Sequence, residues 1–495
     1  MPSSLPLRLY RGAIQLARRP RRQASHVTVV DGLVECPCCG EFQELDRVQP
    51  GTAARCVRCG QVLERRNKTA PLAAPLAFCI TSAALYLATL ASSLMTLDLY
   101  GRERTVNLLT GPMELLHEGW GEVGMLVGIV TVLAPGIVIA IMGLILTAGF
   151  FEELPDWAPN LMAWYDKLRP WSMMEVYILG IFVAYTKLVD LAHVEVGTAC
   201  YLIAALMISM AATDQTLDQE WIWQRRRVEG TLQLPDGRRM KVDRVSVHDL
   251  DGLPPHENML SCHSCGLVGV FPQPVPQTDS VGVCPRCGHD LRRRKVNSIS
   301  RTVALLLSAF IFYFPANLFP VMTVIKVGNG TGHTIIEGAI ELWEDGMIPL
   351  SLLVLFASVT VPVAKIVGLT YMIWTTKRRS AKKLLFRSKL FRMIDIIGRW
   401  SMIDVFMISI LVAVVRFSSL ANIRANAGVV SFAAVVVLTI FAAHCFDPRL
   451  MWDAAGRNGK LRADAPPRSD NTMGQSCLAH EDEALERGDM EPVQA

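Results

Sequence analysis

The stretch Trp171-Ser172-Met173-Met174-Glu175-Val176 returns 229 residues later as Trp400-Ser401-Met402-Ile403-Asp404-Val405. Upstream of it, Gly111-Pro112-Met113-Glu114-Leu115 returns after 227 residues as Gly338-Ala339-Ile340-Glu341-Leu342. A register kept over this length indicates an internal duplication, in which each repeat is one structural unit. The chain is therefore expected to hold two copies of one module. Sequence differences between the copies should mark where their roles diverge.

Both copies are too apolar for a soluble protein. The 495 residues are 51% hydrophobic with a mean hydropathy of +0.31, and the apolar stretches are long enough to cross a hydrocarbon layer of about 30 Å. The expected fold is mainly α: a polytopic membrane protein with about eight transmembrane helices in two parallel four-helix modules, plus two small zinc ribbons. The predicted spans cover about residues 75–97, 122–149, 173–192, 198–214, 300–325, 348–374, 402–421 and 428–446.

The placement of positive charge says more than the net charge of +4. The connections 224–301 and 375–399 are rich in Lys and Arg, whereas 98–121 and 326–347 lean acidic. The positive-inside rule then predicts that both termini and both cysteine segments face the cytoplasm. No cleavable signal peptide is visible, so the first span is expected to act as an uncleaved insertion signal.

The composition divides the chain into six segments. The last is polar, charged and poor in large apolar residues, so we expect it to be disordered. The expected segments are a basic N-terminal segment (1–30), a first zinc ribbon (31–70), a first transmembrane module (71–215), a linker with the second ribbon (216–297), a second transmembrane module (298–452) and the tail (453–495).

Four Cys-x-x-Cys-Gly knuckles predict two metal sites. Two knuckles at this spacing can surround one tetrahedral Zn²⁺ with four thiolates. Gly40 permits the tight turn after Cys39 and sets a register that leaves Cys38 out. The predicted ligands are Cys36, Cys39, Cys56 and Cys59 for the first ribbon, and Cys262, Cys265, Cys284 and Cys287 for the second.

Four ligands fill the coordination shell, so both zinc sites are expected to be structural, with metal binding supplying the folding free energy of each ribbon. Iron–sulfur or thiol redox chemistry is the competing interpretation. Basic ribbons also bind nucleic acid in some proteins, but anionic lipid headgroups and topology explain the neighbouring Arg runs equally well. No nucleic-acid partner is therefore expected.

Charged residues at membrane depth are costly and are functional candidates by default. Lys365 lies in the middle of its predicted span, and Asp404 lies a few residues into the next one. Ser401 shares a helical face with Asp404, and Ser358 shares one with Lys365. With Thr439 on the last helix, these residues predict a polar network around a Lys365–Asp404 pair in the second module.

The first copy keeps only part of this pattern, since Glu175 matches Asp404 and Val138 stands where the second copy has Lys365. Such asymmetry favours a transport function for the second module. Interhelical scaffolding is the alternative.

Three prolines are expected to disturb membrane helices. Pro315 lies in Phe314-Pro315-Ala316-Asn317, where Asn317 can satisfy a freed carbonyl, and the helix there is predicted to be kinked or interrupted. Pro135 and Pro362 are predicted to kink the second helix of each copy. We include Asn317 among the candidate transport residues.

These motifs together resemble the paraquat-inducible protein A (LetA) family of bacterial inner membranes. The resemblance rests on the paired cysteine knuckles, Pro315-Ala316-Asn317, the run Trp400–Asp404, and Phe446-Asp447-Pro448-Arg449 leading to Trp452. It covers about residues 30–455 and is weaker in the first copy, which lacks Pro-Ala-Asn.

The resemblance implies an inner-membrane partner of periplasmic MCE-domain proteins, which form lipid-carrying tunnels. The chain would pass phospholipid between the bilayer and such a tunnel, and it would not be an enzyme. It holds no Gly-x-x-x-x-Gly-Lys-[Ser/Thr] motif, so Asp404 and Lys365 are our candidates for coupling to a proton gradient.

Two other functions stay open at this point. One is a secondary transporter of small amphiphiles that works without a tunnel partner, which co-purification of a large periplasmic MCE protein would exclude. The other is a membrane thiol oxidoreductase, which stoichiometric zinc near two ions per chain would exclude.

Overall fold

The computed structural model describes most of the chain. The described residues are 26–45, 48–66, 72–99, 102–151, 154–189, 193–226, 228, 230–233, 239–250, 252–277, 280–326, 329–344, 346–417 and 421–456. Most of the predicted basic N-terminal segment and most of the predicted disordered tail lie outside these ranges.

The described residues are mainly helical. The α-helices are α1 (Ala73–Ala91), α2 (Thr110–His117), α3 (Gly121–Gly128), α4 (Ala134–Ala148), α5 (Ala158–Leu168), α6 (Met174–Val189), α7 (Thr198–Thr216), α8 (Gln219–Gln224), α9 (Ser298–Leu318), α10 (Ile335–Glu344), α11 (Ile348–Leu355), α12 (Val361–Lys377), α13 (Leu384–Ile397), α14 (Ile403–Val414), α15 (Ala427–Cys445) and α16 (Arg449–Ala454).

Short strands form the ribbons and the connections between helices. The strands are β1 (His26–Asp31), β2 (Leu33–Glu35), β3 (Phe42–Glu44), β4 (Ala53–Arg55), β5 (Val62–Arg65), β6 (Ser93–Leu99), β7 (Arg102–Asn107), β8 (His193–Val196), β9 (Gly230–Gln233), β10 (Arg239–Ser246), β11 (Met259–Ser261), β12 (Val268–Val270), β13 (Gly282–Val283), β14 (Asp290–Leu291), β15 (Met322–Lys326), β16 (Asn329–His333), β17 (Arg416–Phe417) and β18 (Ala421–Ala425).

Within the described residues, seven helical stretches are long and apolar enough to cross a membrane. The eighth predicted span, 198–214, is helix α7, which ends in the polar run Asp214-Gln215-Thr216 and is not among the seven. The seven stretches are Ala73–Ala91, Gly121–Ala148, Ala158–Val189, Ser298–Leu318, Ile348–Lys377, Leu384–Val414 and Ala427–Cys445.

Three of the predicted spans extend past the C-terminal ends of the helices in the structure. The first helix of each module stops at Ala91 or Leu318, and the chain continues as strand β6 or β15. Helix α14 likewise ends at Val414 instead of continuing to residue 421. Short apolar runs do not distinguish a helix end from a strand, and pairing with distant strands decides the outcome here.

Each module therefore carries a small sheet beyond its helices, which the sequence did not predict. The strand orders are β7-β6-β8 in the first module and β16-β15-β18-β17 in the second. Their registers follow the duplication, because Met95 pairs with Val196 in one sheet and Met322 with Ala425 in the other. In both, the central strand extends the first helix, and a neighbouring strand precedes the last helix.

The disturbance predicted at Pro135 and Pro362 takes the form of a π-helical turn. Residues Ile129–Leu133 and Phe356–Thr360 form π segments at equivalent positions, just before each proline. Proline lacks an N–H and clashes with the carbonyl four residues earlier, and a wider turn relieves both problems.

The interruption predicted at Pro315 is wrong. Helix α9 passes through Pro315 and ends three residues later, at Leu318. Asn317 Nδ2 donates to the Tyr313 carbonyl at 2.8 Å, which supports the backbone of this last turn.

The basic connection 375–399 is not a simple loop. It contains helix α13, which runs through a 3₁₀ turn, Gly398–Met402, into α14. Because the segment is rich in Lys and Arg, the sequence did not indicate a helix there. Leu384 and Ile394 lie on the buried side of this helix.

The two modules meet through their third helices. All residues of α14 are buried, and its Phe406 ring packs on Tyr177 of α6 with centroids 5.5 Å apart. Gly180 permits this approach, because a Cβ at that position would lie 2.9 Å from Phe406 Cβ. Helix α14 is thus the centre of the helical core.

The two ribbons, treated separately in the sequence, share one sheet. Strand β1, which leads into the first ribbon, pairs with β10 in parallel and with β12 of the second ribbon in antiparallel orientation. The resulting order β11-β12-β1-β10-β9 combines segments that lie about 200 residues apart in the chain. The ribbons therefore form one composite unit.

Candidate functional site

Two groups of four buried cysteines have the geometry of metal sites. In each group the four Sγ atoms lie within 4.8 Å of one another. Sγ–Sγ distances within the groups include Cys36–Cys59 at 3.5 Å, Cys39–Cys56 at 3.5 Å, Cys262–Cys287 at 3.4 Å and Cys265–Cys284 at 3.6 Å. Tetrahedral zinc with Zn–S bonds of about 2.3 Å holds its sulfurs about 3.8 Å apart. Both groups therefore fit one four-thiolate ion.

The knuckle glycines build the turn that each cluster needs. The glycine N–H donates to the carbonyl of the first cysteine at 2.9–3.0 Å in all four knuckles. Their φ values of 70–75° lie in the left-handed region, where residues with a Cβ are strained. Cys38 is buried but outside the cluster. His263 contacts Arg449 Nη2 through Nδ1 at 3.0 Å.

The first cluster lies against the second module. Arg392 of α13 donates to the Cys59 carbonyl at 3.0 Å, and the Arg58 guanidinium lies 5.4 Å from the Trp452 ring centroid. The cysteines share a core with Leu369 and Phe446. The ribbon that precedes the first module therefore packs on the end of the second.

The second cluster lies against the first module. Its cysteines share a core with Ile222 and Trp223 of α8, and Arg286 lies 3.8 Å from Glu220 Oε1. Because Trp223 and Trp452 are equivalent in the duplication, the two ribbons pack on equivalent ends in an exchanged arrangement. The polypeptide order alone does not reveal this exchange.

A buried cluster of ion pairs connects the ribbons to the second module. Glu35 Oε1 accepts from Arg294 Nη1 and from Arg449 Nη1, both at 3.2 Å. Arg294 also pairs with Asp453 at 2.6 Å, and Arg449 with Asp447 at 3.1 Å. We call Glu35, Arg294, Asp447, Arg449 and Asp453 the ionic cluster.

Neighbouring charges favour the ionised forms of two members of this cluster, Asp447 and Arg294. Burial opposes ionisation of Asp447, but the Arg449 guanidinium lowers the pKa of its carboxyl to about 2. Pairing with Asp453 likewise raises the pKa of Arg294 against the effect of burial. The cluster explains the motif Phe446-Asp447-Pro448-Arg449, for which the sequence alone provided no role. Glu35 and Arg294 carried no recognisable signal, because one is a lone acid and the other belongs to an Arg run.

Five predicted network residues converge inside the second module. Lys365 Nζ donates to Ser401 Oγ at 3.1 Å and to Thr439 Oγ1 at 3.2 Å. Asp404 Oδ2 is hydrogen-bonded to Ser358 Oγ, in the π segment. The side chains come from α12, the π segment, the 3₁₀ turn, α14 and α15, and all five residues are at most 2% exposed.

The network has two halves and not the single ion pair that the sequence predicted. Among the described residues, no ion pair joins Lys365 to Asp404, and Asp404 Oδ1 is buried without a hydrogen-bond partner. The other two candidates lie elsewhere. Glu175 lines a cavity between the modules, and Asn317 bonds to the backbone of its own helix.

Known proteins resemble the chain over most of its length. The family model described as "Paraquat-inducible protein A" matches residues 72–227 and 299–456. The "Intermembrane transport protein PqiA" of Escherichia coli (strain K12) is 28% identical over 84% of this chain and 95% of its own length. The "Lipophilic envelope-spanning tunnel protein A" of the same organism is 28% identical over 87% and 93%. A "Probable intermembrane transport protein" of Haemophilus influenzae is 23% identical over 84% and 94%. No solved structure matches the chain significantly.

Proposed function

The chain belongs to the paraquat-inducible protein A family, and we propose that it is an integral inner-membrane component of an intermembrane phospholipid transport system. It passes lipid between the bilayer and a periplasmic tunnel formed by an MCE-domain protein. The observation that carries this proposal is the buried network of Lys365 and Asp404, placed in a multi-pass chain whose relatives are named as transport proteins. Because those relatives are named for transport, we propose no enzymatic activity.

The proposed orientation follows the positive charges. Both termini, the ribbons and helix α13 face the cytoplasm, and the two small sheets face the periplasm. Helix α7 then crosses the membrane as an eighth span, because it connects strand β8 of the first small sheet to α8 and the second ribbon. In this orientation the sheets that extend the first helices are the parts nearest a tunnel partner. The ionic cluster and the exchanged ribbons then brace the cytoplasmic ends of both modules.

We propose that zinc occupies both cysteine clusters. Four thiolates complete a tetrahedral shell, so each ion has a structural role. The ion's chemistry is limited to holding the knuckles together. Gln43 supports this arrangement, because its Nε2 donates to Cys56 Sγ at 2.8 Å and its Oε1 accepts from the Val57 N–H at 3.2 Å.

We propose that the network couples transport to proton movement. Asp404 has one oxygen engaged by Ser358 and one without a partner among the described residues, so a proton can be held there. Ser358 belongs to a π segment, and such segments inside α-helices frequently occur at functional sites. A return of this turn to α-helix would move Ser358 relative to Asp404. Lys365, the second titratable group of the network, donates to Ser401 and Thr439 in the other half.

Variants of the network test this function in cells. We expect Asp404→Asn and Lys365→Met to abolish growth that depends on envelope lipid transport, because each removes one titratable group. Glu122→Gln is the matched control, since it neutralises an exposed acid in the first turn of α3, outside the network. Membrane insertion is checked by membrane fractionation and immunoblotting. Wild-type growth of both network variants at normal insertion would refute the coupling.

Affinity purification tests the tunnel partner. We expect the full chain, extracted in mild detergent, to co-purify with a periplasmic MCE-domain protein and with phospholipid, identified by mass spectrometry. Recovery of lipid without any MCE protein, after in-cell crosslinking, would favour a transporter that works alone.

A further inference from the structure

A cavity of about 420 Å³ lies between the two modules. It is lined by both 3₁₀ turns, Arg169–Trp171 and Gly398–Met402, just before the third helices begin. Its volume falls within the range of small-molecule sites, which is about 300–1,000 Å³. Because the two modules each supply one side, the cavity is a property of the duplicated chain and not of one module.

The lining changes from apolar to charged. Val138, Met207 and Ile440 lie within membrane-spanning or adjoining helices and form an apolar wall. Toward the C-terminal ends of α7 and α15 and at the two 3₁₀ turns, the lining carries charges of both signs. The charged or titratable lining residues are Arg169, Glu175, Asp214, Asp395, Arg399 and His444. An amphiphile with a charged headgroup matches this gradient, because its apolar part contacts the wall while its headgroup meets the charges.

Only some of these charged side chains form an ion pair or a hydrogen bond within the protein. Arg169 is committed to Asp214, with Nε 2.9 Å from Oδ2, and Tyr165 Oη donates to the same carboxylate at 2.5 Å. In contrast, no described residue forms a hydrogen bond or ion pair with Arg399 or with Glu175. One cation from the second module and one anion from the first are therefore available across the cavity.

The asymmetry of the duplication places a free hydroxyl in the same cavity. Ser172 is equivalent to Ser401, and Val138 is equivalent to Lys365. Ser401 Oγ accepts from Lys365 Nζ. In contrast, Ser172 Oγ is buried without a hydrogen-bond partner among the described residues, and Ser172 lines the cavity. Loss of the lysine in the first module has left a hydroxyl that can donate to a ligand.

We propose that this cavity binds the headgroup of a zwitterionic phospholipid. The phosphate lies toward Arg399 and Ser172, the ammonium lies toward Glu175 and Asp395, and an acyl chain lies along the apolar wall. This inference rests on the proposed lipid-transport function and assigns it a binding site. A headgroup with both charges fits better than a purely anionic one, because the lining offers acids as well as guanidinium groups.

The cavity also adjoins the buried network. Gly398 lines it, and a Cβ at Gly398 would lie 2.7 Å from Lys365 Cε and 3.4 Å from Lys365 Nζ. The Lys365 side chain therefore lies directly behind the wall at Gly398. Only this glycine separates a bound headgroup from Lys365. Headgroup binding can therefore affect the hydrogen bonds of the network.

Photolabelling of the full chain tests the site. The chain is placed in nanodiscs containing phosphatidylethanolamine, phosphatidylglycerol or diacylglycerol with a diazirine in one acyl chain. Adducts are mapped by mass spectrometry. We expect phosphatidylethanolamine to label the segments around Met207–Ala211 and Ile440–His444 most strongly, and soluble phosphoethanolamine to compete only weakly.

Two variants and one control identify the contacts. Arg399→Gln should lower labelling of these segments about tenfold, the effect expected from losing one charge-assisted hydrogen bond to phosphate. Ala211→Phe should lower it for every probe by filling the cavity while keeping all charges. Lys389→Gln is the control, because it removes an exposed cation from α13 that does not line the cavity.

Several outcomes would overturn the proposal. The proposal is wrong if diacylglycerol labels the site as strongly as phosphatidylethanolamine, or if phosphatidylglycerol labels it more strongly. It is also wrong if soluble phosphoethanolamine displaces the label completely, or if labelling is unchanged in Arg399→Gln. Labelling confined to lipid-facing residues of α1 and α9 would overturn it as well. If labelling is unaffected by Arg399→Gln while transport still needs Asp404, the site is wrong and the transport function stands. If the site is labelled as expected but no variant affects transport, the lipid site stands and the function is wrong.

Discussion

Glu35→Ala removes a carboxylate that two buried guanidiniums share. Glu35 Oε1 lies 3.2 Å from Arg294 Nη1 and 3.2 Å from Arg449 Nη1. The side chains are 4%, 2% and 6% exposed, so water does not replace the lost acceptor. We expect this single change to weaken the attachment of the ribbons to the second module.

The magnitude follows from burial. Breaking a buried ion pair costs about 3–5 kcal/mol when it leaves a charge uncompensated. Each guanidinium here keeps a second carboxylate, Asp453 or Asp447, so we expect a loss of about 2–3 kcal/mol. In a cooperative unit of about 100 residues, such a loss lowers the Tm by about 10 °C.

Metal release on heating reports this unfolding, because a ribbon that unfolds loses its ion. The full chain is heated in detergent with a zinc-binding dye, and circular dichroism follows the helices separately. Asp290→Asn is the control, because its ion pair with Arg292 in the second ribbon is 33% and 41% exposed. An exposed pair contributes at most about 1 kcal/mol. Glu35→Gln should lie between Glu35→Ala and wild type, since it keeps one acceptor oxygen.

A release temperature for Glu35→Ala within about 2 °C of the Asp290→Asn control would refute this reasoning. It would mean that the ionic cluster contributes no net stability and that apolar packing around Phe446 and Trp452 holds the ribbon in place. A loss of helical signal at the same temperature would instead indicate that ribbons and modules unfold together.

Three further predictions concern pH, the network and the metal. Burial, with Arg293 and Arg294 nearby, lowers the pKa of His256 from 6.5 to about 4. The unfolded chain then binds its proton more readily, so stability should be constant above about pH 6.5 and fall by about 2–3 kcal/mol toward pH 4, relative to His256→Gln. Gly398→Ala should impair transport without unfolding the protein, because the added methyl group displaces the Lys365 side chain. Gly121→Ala serves as the control, because a Cβ at Gly121 contacts only Leu116, at 3.9 Å. Cys39→Ser should lower the zinc content from two ions per chain to one by elemental analysis, whereas Cys38→Ser should retain both.

The architecture followed from local sequence features. The repeat register, the apolar stretches and the four Cys-x-x-Cys-Gly knuckles depend on residues close together in the chain, so the helical modules and both cysteine clusters could be predicted. The five network residues could be selected from their depth and helical face. Their division into two halves could not, because it depends on how α12, α14 and α15 rotate against one another.

The tertiary structure decided everything that depends on distant pairing. The sheet beyond each module forms because strands from separate connections meet, and Val414 and Ala91 end helices that hydropathy alone would extend. The same reason accounts for the exchanged ribbons, the ionic cluster around Glu35, and the cavity that Arg399 and Glu175 share. By itself, the amino-acid sequence determined a duplicated membrane protein with two four-cysteine sites and a polar second module. Only long-range packing, which brings together residues up to 414 positions apart, decided which side chains meet.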